Sequence, residues 1–225
     1  MTVLHLADDG EAADLAAFLS RLLHYDRGAA VRLQAAGTAL AVFGRPPSFE
    51  VLAVRAVRLA KPYENGLDVT LDVTVSAGEL LEAVDGTAAT AAVPGAVTGP
   101  PWAGVLPPRG GWRTEAGLPG ADELRALVAA AVAEFRTRSQ ELPAESRTRA
   151  ELDRIGRDIW SRTVGRTALP VRAVHAAQSL GFVRPGTGDQ ELGLLSSGAW
   201  LRLRTPYGSV AVRRAGLGAL GVSVR

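Results

Sequence analysis

The chain has 225 residues, 47% of them hydrophobic and 21% charged, with a formal net charge of +2. That apolar content supports a packed core and excludes disorder as a description of the whole. The absence of cysteine removes disulfides, thiolate nucleophiles and sulfur-ligated zinc, and it fits a reducing compartment.

The N-terminus, Met1-Thr2-Val3-Leu4-His5-Leu6, has neither a basic region nor a long apolar stretch of the secretory kind. No apolar run approaches the roughly 18 residues that a spanning helix needs, so a soluble cytoplasmic protein with no membrane partner is expected. Lys61 is the single lysine, and Ala, Gly and Arg are abundant. That bias is the mark of a GC-rich, bacterial type of genome, so the arginine count is not by itself an electrostatic signal.

A first lobe spans residues 1–84. Thr2 to Leu6 reads as a short strand. Leu15, Phe18, Leu19, Leu22 and Leu23 share one helical face, with Asp8 or Asp9 as cap. Val31, Leu33 and Ala35 alternate with polar neighbours, and Ala36-Gly37 can turn the chain into the apolar stretch around Leu40 and Val42. Strands over Phe49 to Leu59 and Leu67 to Val75 follow, joined by a loop with Asn65-Gly66. In the second of these, Asp68, Thr70, Asp72 and Thr74 form a polar face. Ser76-Ala77-Gly78-Glu79 is a capping-box signature.

Residues 85–120 form an Ala/Gly/Pro-rich linker containing Trp102 and Trp112. Its first part is expected to be mobile, with the two tryptophans docked on a lobe or offered to a partner. A second lobe spans 121–225. It opens with a helix carrying Leu124, Leu127, Val128 and Phe135, followed by another over Glu145 to Val164. A third is punctuated by Pro170 and Gly181, with Phe182 placed for a Schellman closure. Trp200 to Arg204 and Val210 to Arg213 then read as a hairpin around Thr205-Pro206-Tyr207-Gly208, with a terminal strand at Val222 to Val224. The fold class is therefore α+β: an N-terminal antiparallel sheet with helices on one face, a Pro/Gly-rich linker, and a C-terminal helical lobe ending in a β-hairpin.

Chemical motifs are sparse. His5, His24 and His175 are far apart and form no ligand pair. Gly186-Thr187-Gly188 follows a helix rather than a strand, and Gly216-Leu217-Gly218-Ala219-Leu220-Gly221 has no βαβ context. Asp68 and Asp72 sit on a solvated face, where carboxylates stay ionised. No catalytic residue, metal site or cofactor is assigned.

Charge is distributed unevenly. Residues 1–84 hold 7 basic and 11 acidic groups, a net of −4, and residues 121–225 hold 16 and 10, a net of +6. The leading expectation is a non-enzymatic binding or scaffold protein, a homodimer with a further protein partner, acting through sheet surfaces and the linker at Trp102 and Trp112. The alternative is a nucleic-acid-binding regulator of winged-helix type, with Arg172, Arg202, Arg204, Arg213 and Arg214 contacting the duplex. A third reading is an enzyme or small-molecule binder with a pocket between the lobes.

Overall fold

The computed structural model describes residues 2–60, 71–186 and 191–214. Lys61, the Asn65-Gly66 loop, Asp68, Thr187-Gly188, the Gly216–Gly221 motif and the expected strand at Val222 to Val224 lie outside the described residues.

Up to residue 92 the order is β1 (Val3–His5), α1 (Asp9–Tyr25), β2 (Ala30–Ala36), β3 (Ala39–Gly44), β4 (Leu52–Arg58), β5 (Asp72–Ser76), α2 (Ala77–Glu82), β6 (Val84–Asp85) and β7 (Thr90–Ala92). Local chemistry sets the ends. Asp8 is extended and its Oδ1 accepts from the Glu11 N–H at 2.8 Å, starting α1. Ser76 does the same for α2 through the Glu79 N–H. Gly37, with φ +59°, supplies the left-handed residue of the tight β2–β3 turn. The strand expected from Phe49 begins only at Leu52. Pro47 to Phe49 instead form a 3₁₀ turn, closed by Glu50 in the left-handed region.

Residues 85–100, expected to be mobile, are built into the fold. β7 pairs with both β1 and β6, Ala91 is fully buried, and the Val97 N–H donates to the Thr74 carbonyl at 2.9 Å. β7 therefore satisfies its backbone groups in a small three-stranded sheet, β1-β7-β6.

The remainder comprises β8 (Arg113–Glu115), α3 (Ala121–Glu141), α4 (Arg149–Trp160), α5 (Val171–Ser179), β9 (Gly193–Ser197), β10 (Trp200–Thr205) and β11 (Gly208–Arg213). α4 is shorter than the expected Glu145–Val164 because Thr148 caps it, accepting from the Glu151 N–H. α5 closes as a full Schellman motif: Phe182 N–H donates to Ala177 O at 2.7 Å and Gly181 N–H to Gln178 O at 3.0 Å, with Gly181 at φ +75°.

The main sheet has eight antiparallel strands in the order β5-β2-β3-β4-β11-β10-β9-β8. It crosses from the first half of the chain to the second at β4 and β11, where Ser209, Val210 and Ala211 pair with Val54, Ala53 and Leu52. Helix-side residues on both sides of that seam (Leu33, Val42, Ala53 and Val57, then Leu201, Leu203, Val210 and Val212) join one core with Leu15, Phe18, Leu22, Leu124, Ile155, Ile159 and Val174. Helices from both halves thus pack on one face of a single sheet, which buries its apolar side once rather than twice. Among the described residues no helix is long and apolar enough to cross a membrane.

Candidate functional site

Two charged constellations stand out. The first lies under α1. On β4, Ala53, Arg55, Val57 and Leu59 share the core side, so an arginine is carried where apolar residues belong. Arg55 is only 6% exposed, and Glu11 of α1 only 8%. Arg55 Nη2 donates to Glu11 Oε2 at 2.8 Å and lies 3.3 Å from Asp14 Oδ2, while Nη1 donates to the Tyr207 carbonyl at 2.9 Å. Arg58 joins Glu11 and Asp8 from the solvent side at 2.8 and 3.0 Å. Arg184 reaches Asp14 at 2.9 Å, with its guanidinium 3.7 Å above the centre of the Tyr207 ring. Three carboxylates face three guanidinium groups, and each carboxylate is engaged. Carboxylates held in this way act as structural ties between elements. The network ties α1 and β4 to the β10–β11 turn across the seam.

The second constellation is on the opposite face of the sheet. Over the first half that face is covered by a strap. Trp102 and Leu106 pack with Phe43, Leu52 and Val54, and Arg32, held by Asp72 at 2.7 and 2.9 Å, donates to the Ala103 carbonyl. The bond to Arg32 holds the Asp72 carboxyl below the usual carboxylate range.

Over the second half no helix of the described residues covers that face. Registers set the rows: Arg213, Trp200 and Ser197 stand side by side, then Ala211, Arg202 and Leu195, then Ser209, Arg204 and Gly193. Trp112 precedes β8 on the same side. The Arg202 guanidinium sits 5.7 Å from the centre of its ring, and that of Arg213 sits 5.3 Å from the Trp200 ring. The Trp112 indole N–H donates to the Pro108 carbonyl at 3.0 Å, and the Arg202 Nε–H to Ser209 Oγ at 2.8 Å. Among the described residues no carboxylate lies within ion-pair distance of Arg202, Arg204 or Arg213. Burial, and then the like charge of Arg204, push Arg202 below its ordinary value.

Of the residues singled out from the sequence, Arg202, Arg204, Arg213 and Trp112 come together here, and Trp200 joins them unforeseen. Arg214 is spent on Glu115 at 2.8 Å. Trp102, in the strap, packs onto the sheet within its own fold. Arg172 lies on α5, on the helix side, 3.9 Å from Glu50. The arginines expected to grip a duplex are thus split between the two faces.

The hairpin does not project as a wing either. β10 pairs with β9 and β11 with β4, while Leu201, Leu203, Val210 and Val212 are buried beneath α5. A hairpin apolar along one face is stabilised more by joining a sheet than by standing in water.

His175 stacks on Trp160 at 4.7 Å and meets Phe49 edge-on at 5.0 Å, and its burial pushes it below the ordinary histidine value. His24 contacts Tyr25, and His5 lies in β1 beside Thr90 of β7. A cleft of about 690 Å³, lined by Asp26, Arg45, Ser76, Thr98 and Trp102 among others, belongs to the first half and not to the junction between halves. The signal for the buried network was present in the sequence: an arginine at core parity in a strand requires a buried acid.

Residues 1–104 match the family model of a domain of unknown function, DUF8010, and residues 107–217 match that of another, DUF8185. The two matches meet within the strap and divide the main sheet between β4 and β11. A comparison with curated proteins finds no match.

Proposed function

We propose that this is a non-enzymatic binding protein of the cytoplasm whose working surface is the helix-free face of β8 to β11, and that its partner is anionic. One observation carries the reading: Arg202, Arg204 and Arg213 stand together on that face, and no carboxylate of the described residues lies within ion-pair distance of them. Residues two apart on a strand are about 7 Å apart, where two like charges repel by roughly 0.6 kcal/mol even in bulk water. Where charges crowd together on the helical layer they pair among themselves, as between Glu134, Arg138, Asp158 and Arg162. A cluster left unpaired is therefore one that an anionic partner can complete. Self-association through sheet edges is a secondary reading, tested by sedimentation.

The test is retention on an immobilised polyanion such as heparin across a salt series. The wild type is compared with Arg202→Ala/Arg204→Ala/Arg213→Ala and with Arg149→Ala/Arg154→Ala/Arg157→Ala, which removes the same charge from α4. Only the sheet-face variant should elute at distinctly lower salt. Equal shifts in the two variants would mean that net charge alone is at work, and the reading would fall.

A further inference from the structure

The anion-binding reading leaves the ligand's class open, and the following rests on that reading. We infer that the face takes single-stranded nucleic acid, with bases stacked at Trp112 and Trp200 and the phosphate chain held by Arg202, Arg204 and Arg213.

Three observations lead there. The first is interleaving. Each tryptophan sits beside one of the unpaired arginines, Trp112 with Arg202 and Trp200 with Arg213. Acidic peptides and simple polyanions ask only for the cations. Large aromatic rings among the cations add affinity only for a ligand with flat apolar groups spaced along a charged backbone, which is the make-up of an unpaired nucleic acid strand.

The second is spacing. Ser197 pairs with Trp200, and Arg113 with Ser196, so Trp112 and Trp200 flank the same strand, β9. Two interstrand steps put the two backbones about 10 Å apart, which gives each ring a base of its own. Ser197 Oγ, between them, donates to the Gly110 carbonyl at 3.2 Å and so holds the loop before Trp112 against β9.

The third is shape. A major groove about 12 Å wide admits a helix or a two-stranded ribbon. The arginine-bearing strands sit inside a sheet of eight, and β8 to β11 alone span about 14 Å between backbones. The face is too broad to enter a duplex groove, and the bases of a duplex are not free to reach tryptophan. A single strand can lie across it.

The experiment measures anisotropy of three labelled probes at increasing salt: a 20-nucleotide oligo(dT), the corresponding duplex, and polyglutamate of matched charge. The proteins are the wild type, Trp112→Ala/Trp200→Ala, Trp112→Phe/Trp200→Phe and the sheet-face arginine triple variant. The oligo(dT) should bind more tightly than the duplex or polyglutamate. The double alanine variant should lose roughly thirtyfold or more in oligo(dT) affinity, because each lost ring forfeits one stacked base, and the phenylalanine variant should recover much of that. The arginine variant should flatten the slope of log K against log salt by about 2, since each phosphate contact to a single strand contributes roughly 0.7. Circular dichroism and melting curves establish that each variant is folded.

Duplex or polyglutamate binding as tightly as oligo(dT), or an oligo(dT) affinity indifferent to both tryptophans in folded variants, would overturn the nucleic-acid inference. If heparin retention through the three arginines persisted, the anion-binding reading would survive that result. No binding of any polyanion would end both.

Discussion

Removing Arg55 tests whether the buried network holds the halves of the sheet together. In Arg55→Ala, Glu11 keeps only Arg58, whose side chain is 71% exposed, as a partner for a carboxylate whose own side chain is 10% exposed. Deleting one member of a buried pair costs about 3–5 kcal/mol, and the surviving bond to Arg58 puts this case at the lower end, about 3 kcal/mol. For a chain of this size each kcal/mol lowers Tm by about 2–4 °C, so a drop of roughly 6–12 °C is expected. Glu11→Leu should cost a similar amount, because it leaves Arg55 with Asp14 at 3.3 Å, a carboxylate already shared with Arg184. The double variant Glu11→Leu/Arg55→Met should cost much less than the sum. It still leaves Asp14 with Arg184 and Asp8 with Arg58, and it replaces the central pair by apolar volume. Urea titration of the four proteins at neutral pH, read as a double-mutant cycle, should give a coupling of at least ~1.5 kcal/mol. Additive single costs would refute the argument that Glu11 and Arg55 stabilise one another.

Other outcomes follow from single contacts. A Cβ on Gly208 would sit 2.5–2.7 Å from three ring atoms of Phe182, which is itself buried and stacked on Phe18 at 5.6 Å. Gly208→Ala should therefore cost about 2–3 kcal/mol, whereas Gly44→Ala, which meets only the end of Leu22, should cost less; chemical denaturation ranks them. Burial holds the His175 pKa below its unfolded value near 6.5. Stability from the neutral ring is therefore complete above that value and is lost as pH falls through the folded one. His175→Phe should flatten the slope of stability against pH below about 6.5, and an unchanged slope would count against the assignment. The depressed Asp72 carboxyl works in the same direction at lower pH, with its contribution present above about 3.9 and lost below it. Asp72→Asn should weaken the strap by less than about 1 kcal/mol at neutral pH, as both side chains are partly exposed, and should match the wild type at pH 2, read by Trp fluorescence.

The helix ends could be read from the sequence because their causes are local. Asp8, Ser76, Pro170 and Gly181 each act within four residues of their position. The α+β class followed from the same local patterns. The β4–β11 pairing was not legible. Ala53 meets Val210 across more than 150 residues of chain, and no local preference specifies which strand edge a hairpin will choose. The candidate face was half legible: strand alternation placed Arg202 and Arg204 together and Arg213 on or beside the partner strand. Trp200 was read only as part of that strand, because its role depends on a register with Arg213 and Ser197 that only the folded sheet defines. Arg172 stands on α5 in the helical layer, and a count of charge along the chain does not say which layer carries each arginine.

The β4–β11 seam also bears on the order of assembly. A ribosome delivers the chain from its N-terminus, yet the strand that fills the middle of the sheet, β11, is made after the ten others in the described residues. From the time β4 emerges until residues 208–213 are complete, one edge of β4 has its N–H and C=O groups open. A nascent chain in that state is an unfinished sheet with a sticky margin, the kind of species that pairs with its neighbours. The vulnerable form of this protein is then the half-synthesised chain, and slowing translation between residues 60 and 208 should raise its aggregation more than destabilising the finished fold does.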